Sequence, residues 1–147
     1  MSPLAIIILV LVIVGGVVSL VYVGVHRYAI RREQALHERF PSAKIIIPNA
    51  NFLGQESKGV AQMRGNGSLV VTASELYFER WLPRKEFRIP LANIQSIETP
   101  KQFLGKRIGN RPLLKVVYRD ESGQTDSMAW WVKDIESLKQ LLEKQSV

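Results

Sequence analysis

The chain has 147 residues, 46% of them hydrophobic and 22% charged, with a formal net charge of +7 and a sequence pI near 9.9. It contains no cysteine, which excludes a disulfide framework, thiol catalysis and cysteine-ligated metal or iron–sulfur centres. The positive balance points toward anionic surfaces, and the length leaves room for one domain of ~100 residues beside an anchor.

Residues 3–25 (PLAIIILVLVIVGGVVSLVYVGV) contain no Asp, Glu, Lys, Arg or His. About 23 residues at ~1.5 Å each make a helix of ~34 Å, enough to cross a ~30 Å hydrocarbon core. A cleaved secretory signal competes with this reading, but such signals have a basic n-region, an apolar run of ~7–15 residues and a small-x-small cleavage site. Only Met1 and Ser2 precede the run here, so the expectation is an uncleaved single-pass anchor in the cell membrane. Arg27, Tyr28, Arg31 and Arg32 form a basic, aromatic juxtamembrane flank. With Arg39 they lie on the C-terminal side of the run, and the positive-inside rule then predicts an outside N-terminus and a cytoplasmic C-terminal domain.

Residues 26–51 read as a basic juxtamembrane connector, its charge diluted by Glu33 and Glu38. The anchor helix is free to run on as far as Phe40, where Pro41 biases it to stop. Ile45, Ile46 and Ile47, bounded by Pro48, form a short strand or a segment packed on the domain.

Over residues 52–145 the pattern changes to the short alternating runs of a small antiparallel β-domain. The predicted strands are 59–64 and 68–72, joined by a tight turn at Asn66-Gly67, then 76–81, one beginning at Phe87, 96–99, 113–119 and 124–132. A glycine-containing loop covers 101–111. Asp134 is a predicted N-cap for a last helix in which Ile135, Leu138, Leu141 and Leu142 recur at helical spacing. The predicted core is Leu69, Val71, Leu76, Phe78, Ile89, Ile94, Val116, Ile135, Leu138 and Leu142.

The order of elements and two runs carry a resemblance. Residues 67–78 (GSLVVTASELYF) and 89–97 (IPLANIQSI) resemble the hairpin and following segment of pleckstrin-homology-like and GRAM-like domains, including the bacterial pleckstrin-homology-like ones. The resemblance spans roughly residues 52–145 and rests on packing and turn positions. It implies a mainly β fold, a seven-stranded barrel or sandwich capped by a C-terminal helix, which follows the single transmembrane helix expected from the apolar run. Phosphoinositide-binding members carry a lysine and two closely spaced basic residues on the first hairpin. This chain offers Lys58 and Arg64 there, a departure that argues against specific inositol-phosphate binding.

Fold likeness does not give function. Both histidines, His26 and His37, lie in the connector, and the acids of the domain form no pair that spacing would bring across a cleft. Gly65-x-Gly67 lacks the third glycine of a nucleotide fingerprint. No enzyme activity, cofactor or metal is expected. Charge is more informative: residues 80–119 hold ten Lys/Arg against Glu86 and Glu98, a net +8, whereas residues from Asp120 onward are net −3. The expected contact residues are Arg84, Lys85, Lys101, Phe103, Leu104, Lys106, Arg107 and Arg111. Phe103, Leu104 and Ile108 either insert at a membrane interface or pack beneath their own loop. Of the adjacent tryptophans Trp130 and Trp131, one should face the core and the other the surface. The expected function is a non-catalytic, membrane-anchored binding or scaffolding module, with a protein partner at the membrane; the alternative is direct binding of anionic lipid headgroups. Nucleic acid ranks third, since no recognition motif appears.

Overall fold

The computed structural model describes residues 1–146. The chain divides into two compact units, Met1–Arg39 and the segment from Phe40 onward.

The first unit is a single helix, α1 (Pro3–Arg39). The Ser2 hydroxyl accepts from Ala5 N at 3.3 Å and so satisfies one of the free N–H groups of the first turn. The helix is long and apolar enough to cross a membrane, with a mean hydropathy of 3.3 over its most apolar stretch. It continues unbroken past Val25, and Arg32 Nη1 donates to Tyr28 OH at 3.2 Å one turn back. It stops where the residue before Pro41 is driven out of the helical region.

The second unit contains β1 (Ile45–Gln55), β2 (Gly65–Val71), β3 (Glu75–Arg80), β4 (Lys85–Pro90), β5 (Ile94–Glu98), β6 (Leu114–Arg119), β7 (Thr125–Trp131) and α2 (Ile135–Gln145). The predicted 26–51 connector is thereby divided. Its first part completes α1 and its last part opens β1, so the compact unit starts before residue 52. The strands form one antiparallel sheet in the order β4-β3-β2-β1-β7-β6-β5. The two edge strands are consecutive in the chain, joined by the short 3-10 turn Leu91–Asn93. Four residue steps span at most ~14 Å, whereas six strand spacings in a flat sheet need ~29 Å. The sheet must therefore roll up.

The rolled interior is the main core. Alternate residues point into it: Leu69 and Val71, Leu76 and Phe78, Leu114 and Val116, Met128 and Trp130. All ten predicted core residues are buried. Phe52, Phe78, Phe87 and Trp130 meet at its centre, with ring centroids 5.1–5.9 Å apart. Helix α2 is capped by Asp134, whose carboxylate accepts from Ser137 N at 3.2 Å, and it adds Ile135, Leu138 and Leu142 to the core.

Two strand expectations are corrected. Residues 59–64 are not a strand; a 3-10 turn (Glu56–Lys58) and an irregular connection occupy that stretch. Asn66-Gly67 is not a turn but lies within β2, paired with Asn51 and Ala50. Gly67 is there for want of room, since a Cβ would stand 2.3 Å from the Glu79 carbonyl oxygen and 2.4 Å from the Phe78 ring. The two positions therefore serve close strand packing rather than chain reversal.

Candidate anionic-ligand surface

At one end of the rolled sheet the β1–β2 connection meets the β3–β4 turn. Trp81 N donates to Asn66 O at 3.0 Å, and Trp81 Nε1 donates to Ser68 Oγ at 3.1 Å, which ties the turn to β2. Between the two segments lies a pocket of about 250 Å3, with Phe52 and Phe87 in its lining and Lys58, Arg80 and Lys85 around it. Arg80 Nε donates to Pro83 O at 3.0 Å, and Lys85 Nζ stands 5.0 Å over the Phe87 ring. Arg84 reaches Glu79 at 3.4 Å and Glu86 at 3.8 Å. Among the described residues of the domain, the large hydrophobic side chains that stand exposed are Val60, Met63 and Leu82, at 68%, 63% and 82%. All three belong to these two segments. Apolar tips beside cations suit a surface that is apolar a few ångströms in and anionic outside.

The base of the β1–β2 connection is held by a buried acid on β7. Asp126 accepts from Gln55 Nε2 and Ser57 Oγ, each at 2.7 Å, from Ser127 N at 2.8 Å and from Ser57 N at 3.0 Å. Burial opposes its ionisation, but the hydrogen bonds from Ser57, Gln55 and Ser127 outweigh that and hold the carboxyl below its ordinary range. Burial, and then the Asp126 charge, push the neighbouring Tyr118 hydroxyl well above its ordinary value, so it remains protonated. This acid acts as a structural tie.

The predicted contact residues are spread over two places. Arg84 and Lys85 belong to the β3–β4 end of the sheet. Lys101, Phe103, Leu104, Lys106, Arg107 and Arg111 lie on the β5–β6 loop, which covers the outer face of the sheet. Phe103 is buried in a second small cluster with Leu53, Leu113 and Ala129, while Leu104, Ile108 and Trp131 pack against it. Of the two alternatives for this loop, packing is the one observed. Phe103 and Lys106 close a tight turn by reciprocal backbone bonds of 3.0 and 2.9 Å, with Leu104 at φ 50° and Gly105 at φ 72° between them. The Lys106 ammonium is turned inward, donating to Leu53 O at 3.1 Å and Gln62 O at 3.0 Å. Its pKa is lowered by burial and by the Arg64 charge. Arg107 bonds to Gln102 and Arg111 lies 4.9 Å over the Trp131 ring. Trp130 is in the core and Trp131 is partly exposed. In the segment after the apolar run Arg27, Tyr28 and Arg31 are exposed and Arg32 is partly so.

Sequence reasoning passed over Val60, Met63 and Leu82 as surface residues and counted Arg80 only in the charge of residues 80–119. The available signal was an acid-free stretch from Ser57 to Ser74 containing apolar residues out of strand register.

No known protein-family profile matches the chain, and no curated protein matches it. Among solved structures it is similar to the crystal structure of the C-terminal domain of an unknown protein from Leishmania infantum, with a TM-score of 0.53 at 15% identity. The match covers 77% of this chain and 96% of that one. At this identity the likeness is one of fold.

Proposed function

We propose that this chain is a non-catalytic binding module, anchored in the cell membrane by α1 with its domain on the cytoplasmic side, and that the domain is of the pleckstrin-homology-like class. The strand order, the rolled sheet and the closing helix support the class. The arginine flank after the apolar run supports the orientation. The proposed ligand is an anionic lipid headgroup, and the end of the sheet that carries Lys58, Arg64, Arg80, Arg84 and Lys85 is the surface that takes it.

One observation carries this reading: three exposed apolar side chains belong to the two segments whose shared pocket is lined by the cations Lys58, Arg80 and Lys85. A basic residue near an anionic leaflet contributes ~1 kcal/mol, screened over ~8–10 Å, so several together make a usable attraction. The absence of cysteine makes the test simple. A single Leu82→Cys chain carrying an environment-sensitive fluorophore is reconstituted into vesicles of neutral or partly anionic lipid. The expected result is blue-shifted emission with anionic lipid alone, reversed by salt. Equal emission in both vesicles would refute the lipid assignment.

A second reading, docking of a protein partner, is favoured by a different feature. An apolar groove of about 380 Å3 runs between residues 45–49 and 131–134. β1 pairs with β7 only from Asn51 to Gln55, so the first half of β1 has no strand on that side. A photo-crosslinker at Ile46 that captures a partner, with none captured from position 82, would favour scaffolding.

A further inference from the structure

The β1–β2 connection carries Lys58, Val60 and Met63 but has almost no core of its own. All three side chains are exposed, so its shape must come from polar contacts. β2 pairs with β1 only as far as Phe52, which leaves Gln55 beyond the end of the ladder on that side. The Gln62 side chain takes the missing place. Its Oε1 accepts from Gln55 N at 2.8 Å, and its Nε2 donates to Gln55 O at 2.6 Å and to Gly59 O at 2.5 Å. A primary amide thus reproduces the donor and acceptor of a neighbouring strand. The main-chain carbonyl of Gln62 accepts from Lys106 Nζ at 3.0 Å, which pins the same residue to the β5–β6 loop.

A second observation is independent of those bonds. Residue 54 is glycine at φ 141°, and a Cβ there would stand 2.8 Å from Gln62 Cδ and 3.0 Å from both of its amide heteroatoms. Only a residue without a side chain leaves the amide its seat. Asp126 holds the opposite flank through Ser57.

We propose that Gln62 is a positioning residue, which presents Lys58, Val60 and Met63 as a preformed array to an anionic lipid surface, with Lys106 bracing it. The role rests on the lipid reading given above. It predicts that the connection is ordered before any lipid binds.

The test uses the full chain with the fluorophore at position 82, on the neighbouring turn, and three variants. Gln62→Met keeps the length and removes the amide. Gln62→Glu keeps the acceptor for Gln55 N but not the donor. Lys106→Met removes the brace. In Gln62→Met, amide exchange at Gln55 should speed up by roughly tenfold or more, about the factor expected for one net hydrogen bond. The anionic-vesicle response should weaken by a similar factor, while the global melting temperature falls by no more than ~4–8 °C, the shift that one net hydrogen bond carries in a domain of this size. Lys106→Met should fall between wild type and Gln62→Met in both readouts, whereas Gln62→Glu sets a carboxylate oxygen against the carbonyl oxygens of Gln55 and Gly59 and should be at least as disruptive as Gln62→Met. Unchanged exchange in Gln62→Met overturns the positioning role, and so does faster exchange with an undiminished vesicle response. A large fall in melting temperature that tracks the lost response in all three variants also overturns it, in favour of a general structural role. A wild-type chain without any anionic response instead removes the lipid reading itself, and with it the positioning role.

Discussion

Replacing Asp126 by Asn should destabilise the domain by about 3 kcal/mol at neutral pH, and the loss should depend on pH in a defined direction. Four donors approach the carboxylate at 3.0 Å or less, two to each oxygen. Asparagine keeps one acceptor oxygen and places an NH2 group where the other stood. Two bonds are then lost or reversed at ~1 kcal/mol each, and the remaining two lose the charge that strengthened them, ~0.5–1 kcal/mol each. For a domain of this size that corresponds to a fall in melting temperature of ~12 °C or more. The folded-state pKa of Asp126 is depressed, so its contribution is present above the unfolded value of ~3.9 and disappears as pH falls through the lower folded value. The gap between wild type and Asp126→Asn should therefore be full at pH 6 and should narrow on acidification below 4. Urea denaturation of the full chain in detergent, followed by tryptophan fluorescence, measures it. A gap below ~1 kcal/mol at pH 6, or one that stays constant down to pH 2, would show that the four contacts do not act on an ionised buried carboxylate.

Three further outcomes follow from the packing and the charge asymmetry. Phe78→Ala empties a site that is 1% exposed and ringed by Phe52, Phe87 and Trp130; it should cost ~3–5 kcal/mol, with exposed Leu82→Ala as the near-neutral control in the same melts. Gly67→Ala should cost ~1–3 kcal/mol or more by overpacking against Glu79 and Phe78, and an unchanged unfolding midpoint would contradict the close β2–β3 approach. A reporter active only in the cytoplasm, fused after Val147, should be active, and activity confined to an external reporter would reverse the proposed topology.

What the sequence by itself determined is what depends on near neighbours. The long helix follows from an uninterrupted apolar run, and α2 from an aspartate cap followed by apolar residues three and four apart. The buried faces of β3 and β6 follow from alternation, which is why Leu76, Phe78 and Val116 are legible as interior, and alternation on β7 sends one of Trp130 and Trp131 inward without saying which. β1 was decided by the tertiary structure. A segment reading IIIPNANFLGQ has a proline, two asparagines and a glycine, and it is a strand because β2 and β7 supply partners on either side. The same holds for Asn66-Gly67, whose turn propensity yields to the close packing of Gly67 on Phe78. The candidate surface was only half legible. Arg84 and Lys85 are visible as charge, but Phe103 turns inward because the outer face of β1 and β7 offers Leu53 and Ala129 to cover. The direction of Lys106 depends on carbonyls contributed by residues 53 and 62, brought to it by the rolling of the sheet. No local pattern encodes such a contact, because its energy exists only once distant segments have already met.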